Sequence, residues 1–250
     1  MSRWLLVTGV RRLGAEIAKE AATRGWSVLL HYGSSAHEAE QVASDIGANG
    51  GEAKTVQCDF ADAAAVSALI PHCVKLAGAP IVGLINCAAI FKHDDAATFA
   101  PEALNQHFAI NATAPMLLTQ ALAAQSNAPQ RAVVNLLDYK LATPYQNHFS
   151  YTISKFALAG ATDMFARALA PNVRVNAVAP AYALPSPGQP QQSFEQQHDK
   201  TPLGYGVTPN DVVAAVLYLL EAPAVTGQVI YVDAGQRFLP RDRDFAFFAS

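Results

Sequence analysis

Tyr151 and Lys155 stand four residues apart in the run TyrThrIleSerLys, so on a helix they share one face, one turn apart. An ammonium beside a phenol favours the phenolate, which makes the tyrosine a better proton exchanger near neutral pH. Asp138 follows the apolar run 132–137, where a carboxylate falls at a strand's C-terminal end. In open parallel sheets that edge is where ligands bind. A Tyr-x-x-x-Lys pair alone is weak evidence, because most such pairs are surface or packing residues. Its weight comes from the segments that precede it.

The first of these is Thr8-Gly9 followed by Arg11-Arg12-Leu13-Gly14. Glycines in a strand-to-helix turn let the backbone approach a pyrophosphate, and the helix N-terminus adds N–H donors and dipole. Two arginines strengthen the anion reading, because a guanidinium forks onto phosphate oxygens. The second strand ends in His31-Tyr32-Gly33-Ser34-Ser35, with no carboxylate. An acid there would accept from a ribose 2′-hydroxyl and repel a 2′-phosphate. Its absence, with Arg12, Ser34 and Ser35 near, favours NADP(H) over NAD(H). Asp59 follows the third strand, placed either to accept from an adenine amino group or to cap a helix.

These residues need a scaffold, and the pattern supplies one. Strand-like runs at 4–8, 27–32, 53–58, 81–85, 132–137, 173–178 and 228–232 alternate with helical periodicity. Leu13, Ile17 and Ala21 give the first helix its apolar face. Ser35 and Glu38 form a capping box for the second. A third helix starts near Asp62, and Pro71 is expected to kink or split it. Pro101 opens a long helix through Asn111 with a second kink near Pro115. Residues 150–170 carry Tyr151 and Lys155, and Thr208 to Asp211 starts a last helix. Strand then helix, repeated, predicts one α/β domain over 1–250, a Rossmann-type doubly wound parallel sheet of about seven strands. Residues 181–207, with four prolines and five glutamines, have no clear periodicity. They read as a substrate lid, with a solvated insertion as the alternative.

Composition narrows the class. Of the 250 residues, 51% are hydrophobic and 15% charged, and the net charge is -3, which suits a packed enzyme-like domain and gives no nucleic-acid footprint. Cys58, Cys73 and Cys87 form no Cys-x-x-Cys pair and read as buried free thiols. The seven histidines show no metal-ligand spacing, so no metal is expected. No apolar run approaches the roughly 18 residues that span a bilayer, and no signal-like segment precedes the first strand. A cytoplasmic enzyme without nucleic-acid or membrane partners is expected.

The whole chain resembles the short-chain dehydrogenase/reductase family, most of all the pteridine reductases. The residues that carry the resemblance are Thr8, Gly9 and Gly14, then Asp59, the segment Asn86-Cys87-Ala88-Ala89, Asn111, and Tyr151 with Lys155. Asp138 in place of the family's serine, Arg12-Leu13-Gly14, His31-Tyr32 and Phe91 follow the pteridine-reductase pattern. The glycine turn is one residue shorter than the family's, and Ser34 stands where an arginine often binds the 2′-phosphate.

The resemblance implies hydride transfer from NADP(H) with Tyr151 as proton donor. Lys155 would bind the nicotinamide ribose and lower the pKa of Tyr151, and Asn111 would hold a relaying water. Gly9, Arg11, Arg12, Leu13, Gly14, His31, Tyr32, Ser34, Ser35, Asp59, Phe60, Asn86, Ala88 and Pro180 would line the cofactor. Phe91 would sandwich a flat pterin, or else pack the lid. Tyr182 would join the substrate wall, and His148 would touch substrate or cap its helix. A homotetramer is implied as well, with Phe245, Phe247 and Phe248 of the tail at 236–250 expected to bury against a neighbouring subunit. Two other readings stay open: a carbonyl reductase of the same family, and a non-enzymatic NADP(H) sensor that would have little need of Tyr151, Lys155 and Asn111 together.

Overall fold

β1 (Arg3–Thr8), β2 (Trp26–Tyr32), β3 (Ala53–Gln57), β4 (Ile81–Asn86), β5 (Arg131–Leu136), β6 (Val173–Pro180) and β7 (Val229–Val232) make one sheet in the order β3-β2-β1-β4-β5-β6-β7. Every neighbouring pair is parallel. A computed structural model describes residues 3–126, 129–185 and 189–239. Parallel neighbours cannot be joined by a tight hairpin, so the crossovers carry helices. These are α1 (Leu13–Thr23), α2 (Ala36–Ala48), α3 (Ala63–Ala77), α4 (Pro101–Phe108), α5 (Ala114–Ala123), α6 (Phe149–Ala168), α7 (Gln191–His198) and α8 (Pro209–Glu221). The doubly wound sheet expected from the strand–helix alternation is the one observed.

Side-chain alternation in the strands covers both faces. Leu5 and Val7 of β1 pack with Ile17 of α1, Val42 of α2 and Val216 of α8. Trp4 and Leu6 point the other way, to Ile70 of α3 and Leu118 of α5. Leu158 of α6 packs with Ala177 and Ala179 of β6. The chain runs outward from β1 to β2 and β3, then crosses back to β4 on the other side of β1. The carboxyl ends of β1 and β4 therefore flank the switch point where such sheets bind ligands.

Several local expectations are corrected. Ser35 precedes α2 but makes no side-chain cap, its backbone at φ -97°, ψ 55° lying outside the extended region usual for a cap, and Glu38 lies 3.5 Å from the Arg11 guanidinium instead of reaching back. Pro71 does not split α3, which runs through it; Ser67, whose carbonyl loses its amide donor, is exposed and can turn to water. Asp62, not Asp59, caps α3, accepting from the amides of Ala64 and Ala65. The long helix after Pro101 is divided by a π-helical turn at Ala109–Thr113, with Pro115 in the first turn of α5 beyond it. The segment at 181–207 contains α7, held by stacking of Phe194 on His198 at 4.5 Å and by a Gln191–Glu195 hydrogen bond. Both are one-turn contacts, which a polar composition conceals. The aromatic tail residues Phe245, Phe247 and Phe248 lie outside the described residues.

Candidate active site

α6 places the proton-exchanging pair. Its buried stripe includes Tyr151, Lys155, Leu158, Thr162 and Ala166, the three-to-four spacing of one helix face. The Tyr151 hydroxyl donates to Asp138 Oδ2 at 2.9 Å. Asp138 sits just past β5 and starts the short 3-10 turn Tyr139–Leu141, its Oδ1 accepting from the Lys140 amide at 2.9 Å. Lys155 Nζ donates to the Leu136 carbonyl at 2.6 Å and lies 5.7 Å from the centre of the Tyr151 ring. Burial lowers the Lys155 pKa to about 8, while Asp138 and Cys87 pull it upward. Burial likewise pushes the Cys87 thiol up to about 11, against the attraction of Lys155.

Asn111 is fully buried in the π turn. Its Oδ1 accepts from the Ile90 amide at 2.9 Å, and its Nδ2 donates to the Ile90 carbonyl at 3.0 Å and to Ser154 Oγ at 3.1 Å. Its side chain is thus a clamp between the loop after β4 and α6.

An aromatic wall stands beside Tyr151. Phe91 meets its ring edge-on at 4.7 Å, and His148 stacks on Phe91 at 3.9 Å. His148 takes the position before α6 with φ 57° and no side-chain cap; its Nδ1 donates to the Lys92 carbonyl at 3.0 Å. It neither caps the helix nor stands apart from Phe91. Tyr182 lies 5.6 Å from Tyr139, whose hydroxyl hydrogen-bonds that of Tyr145. Lys140, Tyr139 and Tyr145 all belong to this wall and were not found by sequence reasoning. The only signal was a cation two residues past the singled-out carboxylate.

At the switch point, Thr8 Oγ accepts from the amides of Cys87 and Ala88 at 3.0 and 3.1 Å. Gly9 has φ +71°, and a Cβ there would come within 2.6 Å of Ala88 Cα, so no other residue fits. Gly14 has the same demand: a Cβ would meet the Gly9 carbonyl at 2.2 Å. Arg12 precedes α1 at φ 52°, ψ -120°, and no side chain caps that helix. Leu13 then begins α1. The uncapped N-terminus facing the crevice suits an anion such as a pyrophosphate.

The two arginines part ways. Arg11 pairs with Glu38 near the tip of β2, whereas the Arg12 guanidinium donates to the Pro185 carbonyl at the start of the lid segment. Arg11 is thereby tied to the first turn of α2, the helix that follows Ser34 and Ser35. His31 is sealed at 3% exposure. Its Nδ1 accepts from the Gly9 amide at 3.3 Å and its Nε2 donates to the Cys58 carbonyl at 3.0 Å, with Phe60 stacked on it at 4.1 Å. His31 and Phe60 therefore shape the glycine turn from below. Burial lowers the His31 pKa to about 4. Tyr32, at the end of β2, is half-buried, and Asp59 is exposed, its Oδ1 accepting from the Ala61 amide. Asn86 donates to Asn135 within the sheet, and Pro180 ends β6 opposite Val232. Among the described residues no metal-binding cluster occurs, and no helix is long and apolar enough to cross a membrane.

Comparison with known proteins agrees with this geometry. A family model described as enoyl-(acyl carrier protein) reductase matches residues 9–237. The structure of FolM alternative dihydrofolate reductase 1 from Brucella canis, complexed with NADP, superposes with a TM-score of 0.90 at 34% identity, covering 97% of this chain and 96% of that one. Pteridine reductase 1 of Leishmania tarentolae is 30% identical over 275 residues, 92% of this chain and 94% of the relative. A 3-oxoacyl-(acyl-carrier-protein) reductase of Staphylococcus aureus is 28% identical over 242 residues, 94% of this chain and 98% of the relative. The chain belongs to the short-chain dehydrogenase/reductase family.

Proposed function

We propose that this chain is an NADPH-dependent reductase of a pteridine ring, such as a dihydropterin, a quinonoid pterin or dihydrofolate. The observation that carries the reading is the hydrogen bond from the Tyr151 hydroxyl to the Asp138 carboxylate. A serine in that place would donate to a ketone oxygen as charge develops there; an ionised aspartate only accepts. It suits a substrate that offers N–H donors and a ring nitrogen that must receive a proton. The relatives named for pteridine and dihydrofolate reduction, one of them complexed with NADP, support the same reading.

NADPH, when bound, supplies the hydride. Gly9, Arg11, Leu13 and Gly14 would hold its pyrophosphate, and Arg11, Ser34 and Ser35 its 2′-phosphate. Asp59 would face the adenine, and Lys155 the nicotinamide ribose. Tyr151 gives a proton to the reduced ring, and Asp138 orients both the phenol and the ring's N–H groups. Phe91, His148 and Tyr182 form an apolar wall that excludes water. Asn111 holds the Phe91 loop against α6.

Two broader assignments belong with this reading. The chain acts as a single dinucleotide-binding domain in the cytoplasm, consistent with three free cysteines. It assembles as a homotetramer, and Ile153, Phe156 and Met164 on the outer side of α6 are apolar surface that such assembly would cover.

A screen of NADPH consumption with dihydropterins, dihydrofolate and ketones tests the function. Asp138→Asn should sharply reduce dihydropterin turnover while leaving NADPH binding nearly unchanged. The likeness to the 3-oxoacyl reductase favours ketone reduction as the second reading. Efficient ketone turnover that survives Asp138→Asn, without activity on pterins, would select it.

A further inference from the structure

A second lysine lies inside the site. Lys140 is 1% exposed, and its Nζ stands 4.7 Å from the centre of the Phe91 ring, 5.8 Å from that of Tyr145 and 5.7 Å from that of Tyr151. The last distance equals that from Lys155 to the same ring, so two ammonium groups approach the Tyr151 phenol. The Lys140 amide also holds Asp138 Oδ1, leaving Oδ2 to accept from Tyr151. One residue thus contacts the carboxylate through its backbone and the aromatic wall through its side chain.

The arrangement answers a difficulty that Asp138 creates. A carboxylate receiving the Tyr151 hydroxyl makes that phenol harder to ionise, and a proton donor must become a phenolate. The groups around the phenol are Asp138 past β5, Lys155 on α6, Cys87 and Phe91 after β4, His148 stacked on Phe91, and the phenols of Tyr139 and Tyr145. Lys155 and Lys140 are the two lysines that approach the Tyr151 phenol, each with Nζ 5.7 Å from its ring centre. We propose that Lys140 is a positioning residue for proton transfer: its ammonium fixes Phe91 against Tyr151 and offsets the charge of Asp138, so that Tyr151 can release its proton. This rests on Tyr151 as the proton donor and goes beyond it by assigning a second cation to the step.

Lys140→Met keeps the apolar stem and the backbone amide and removes only the charge. The first readout is the tyrosinate absorbance of the NADP-bound protein that disappears in Tyr151→Phe, followed against pH. It is expected to appear roughly one pH unit or more higher in Lys140→Met, from a charge at this distance in a partly screened site, and to return toward wild type in Lys140→Arg. The kcat of Lys140→Met should fall several-fold, with its alkaline limb displaced upward and the NADPH KM unchanged. Circular dichroism checks the fold, and Lys140→Gln replaces the methionine variant if that fails to fold. A folded variant whose phenol titration matches wild type overturns the proposal, even if kcat falls, because the role is then packing alone. The titration uses no substrate, so it stands or falls separately from the pteridine assignment.

Discussion

Lys155→Met should make the cofactor-free protein more stable while destroying its activity. Burial lowers the Lys155 pKa from 10.5 to about 8, which corresponds to roughly 3 kcal/mol against the charged form. Methionine fills the channel of the lysine stem without that charge. The Leu136 carbonyl loses its partner at 2.6 Å, which costs about 1–2 kcal/mol. The net is a gain of about 1–2 kcal/mol near pH 7, or roughly 2–8 °C in Tm for a chain of this size. The pH dependence follows from the sign of the shift. The folded pKa lies below the unfolded one, so the lysine's deficit is whole below about pH 8 and vanishes by about 10.5. Wild type should therefore gain on the variant as pH rises through that window, and above it the variant should be the less stable. Urea unfolding at a series of pH values, without NADPH, reads the difference directly. A variant less stable than wild type at pH 7, or a difference that does not change from pH 7 to 10, would refute the reasoning.

Three further outcomes are expected. NADPH should be preferred over NADH in kcat/KM, because the β2 tip has no acid and Arg11 pairs with Glu38 in the first turn of the helix that follows it; an NADH preference contradicts this. His31, neutral in the fold, should destabilise the protein as pH falls from about 6.5, its unfolded value, to about 4. His31→Asn should flatten that slope in thermal melts, and an unchanged slope counts against it. Asp138→Ser should gain measurable ketone reductase activity, since the new hydroxyl can donate to a carbonyl oxygen, and a variant inert toward every ketone tried would weaken that account of Asp138.

The alternation of strands and helices was readable because apolar period and turn chemistry are local. So was the shared face of Tyr151 and Lys155, since helix geometry fixes it once α6 forms. What could not be read depends on groups far apart in sequence. Arg12 reaches Pro185, 173 residues away, while Arg11 pairs with Glu38. Asn111 is occupied by Ile90 and Ser154, contacts that exist only once the loop after β4 folds over the π turn. Nothing in the local sequence marks Lys140; only the packing of Phe91, Tyr145 and Tyr151 around it reveals its place. The Glu38 half of the Ser35 capping box failed for the same reason, because Glu38 had a partner from another element.

The π turn at Ala109–Thr113 bears on how the gene can change in length. A π turn holds one residue more than an α-helical turn, and each helical residue advances the direction of the next side chain by about 100°. Removing any one residue between 109 and 113 would let α4 and α5 merge into a regular helix, turned by that angle relative to each other. His107 of α4, which accepts from the Lys92 amide, would leave the Phe91 loop, and Asn111 would leave Ile90. Substitutions at the exposed Thr113 change no register. Tolerance at this point should therefore separate sharply by kind, with many single replacements viable in a selection for activity and single-codon deletions absent.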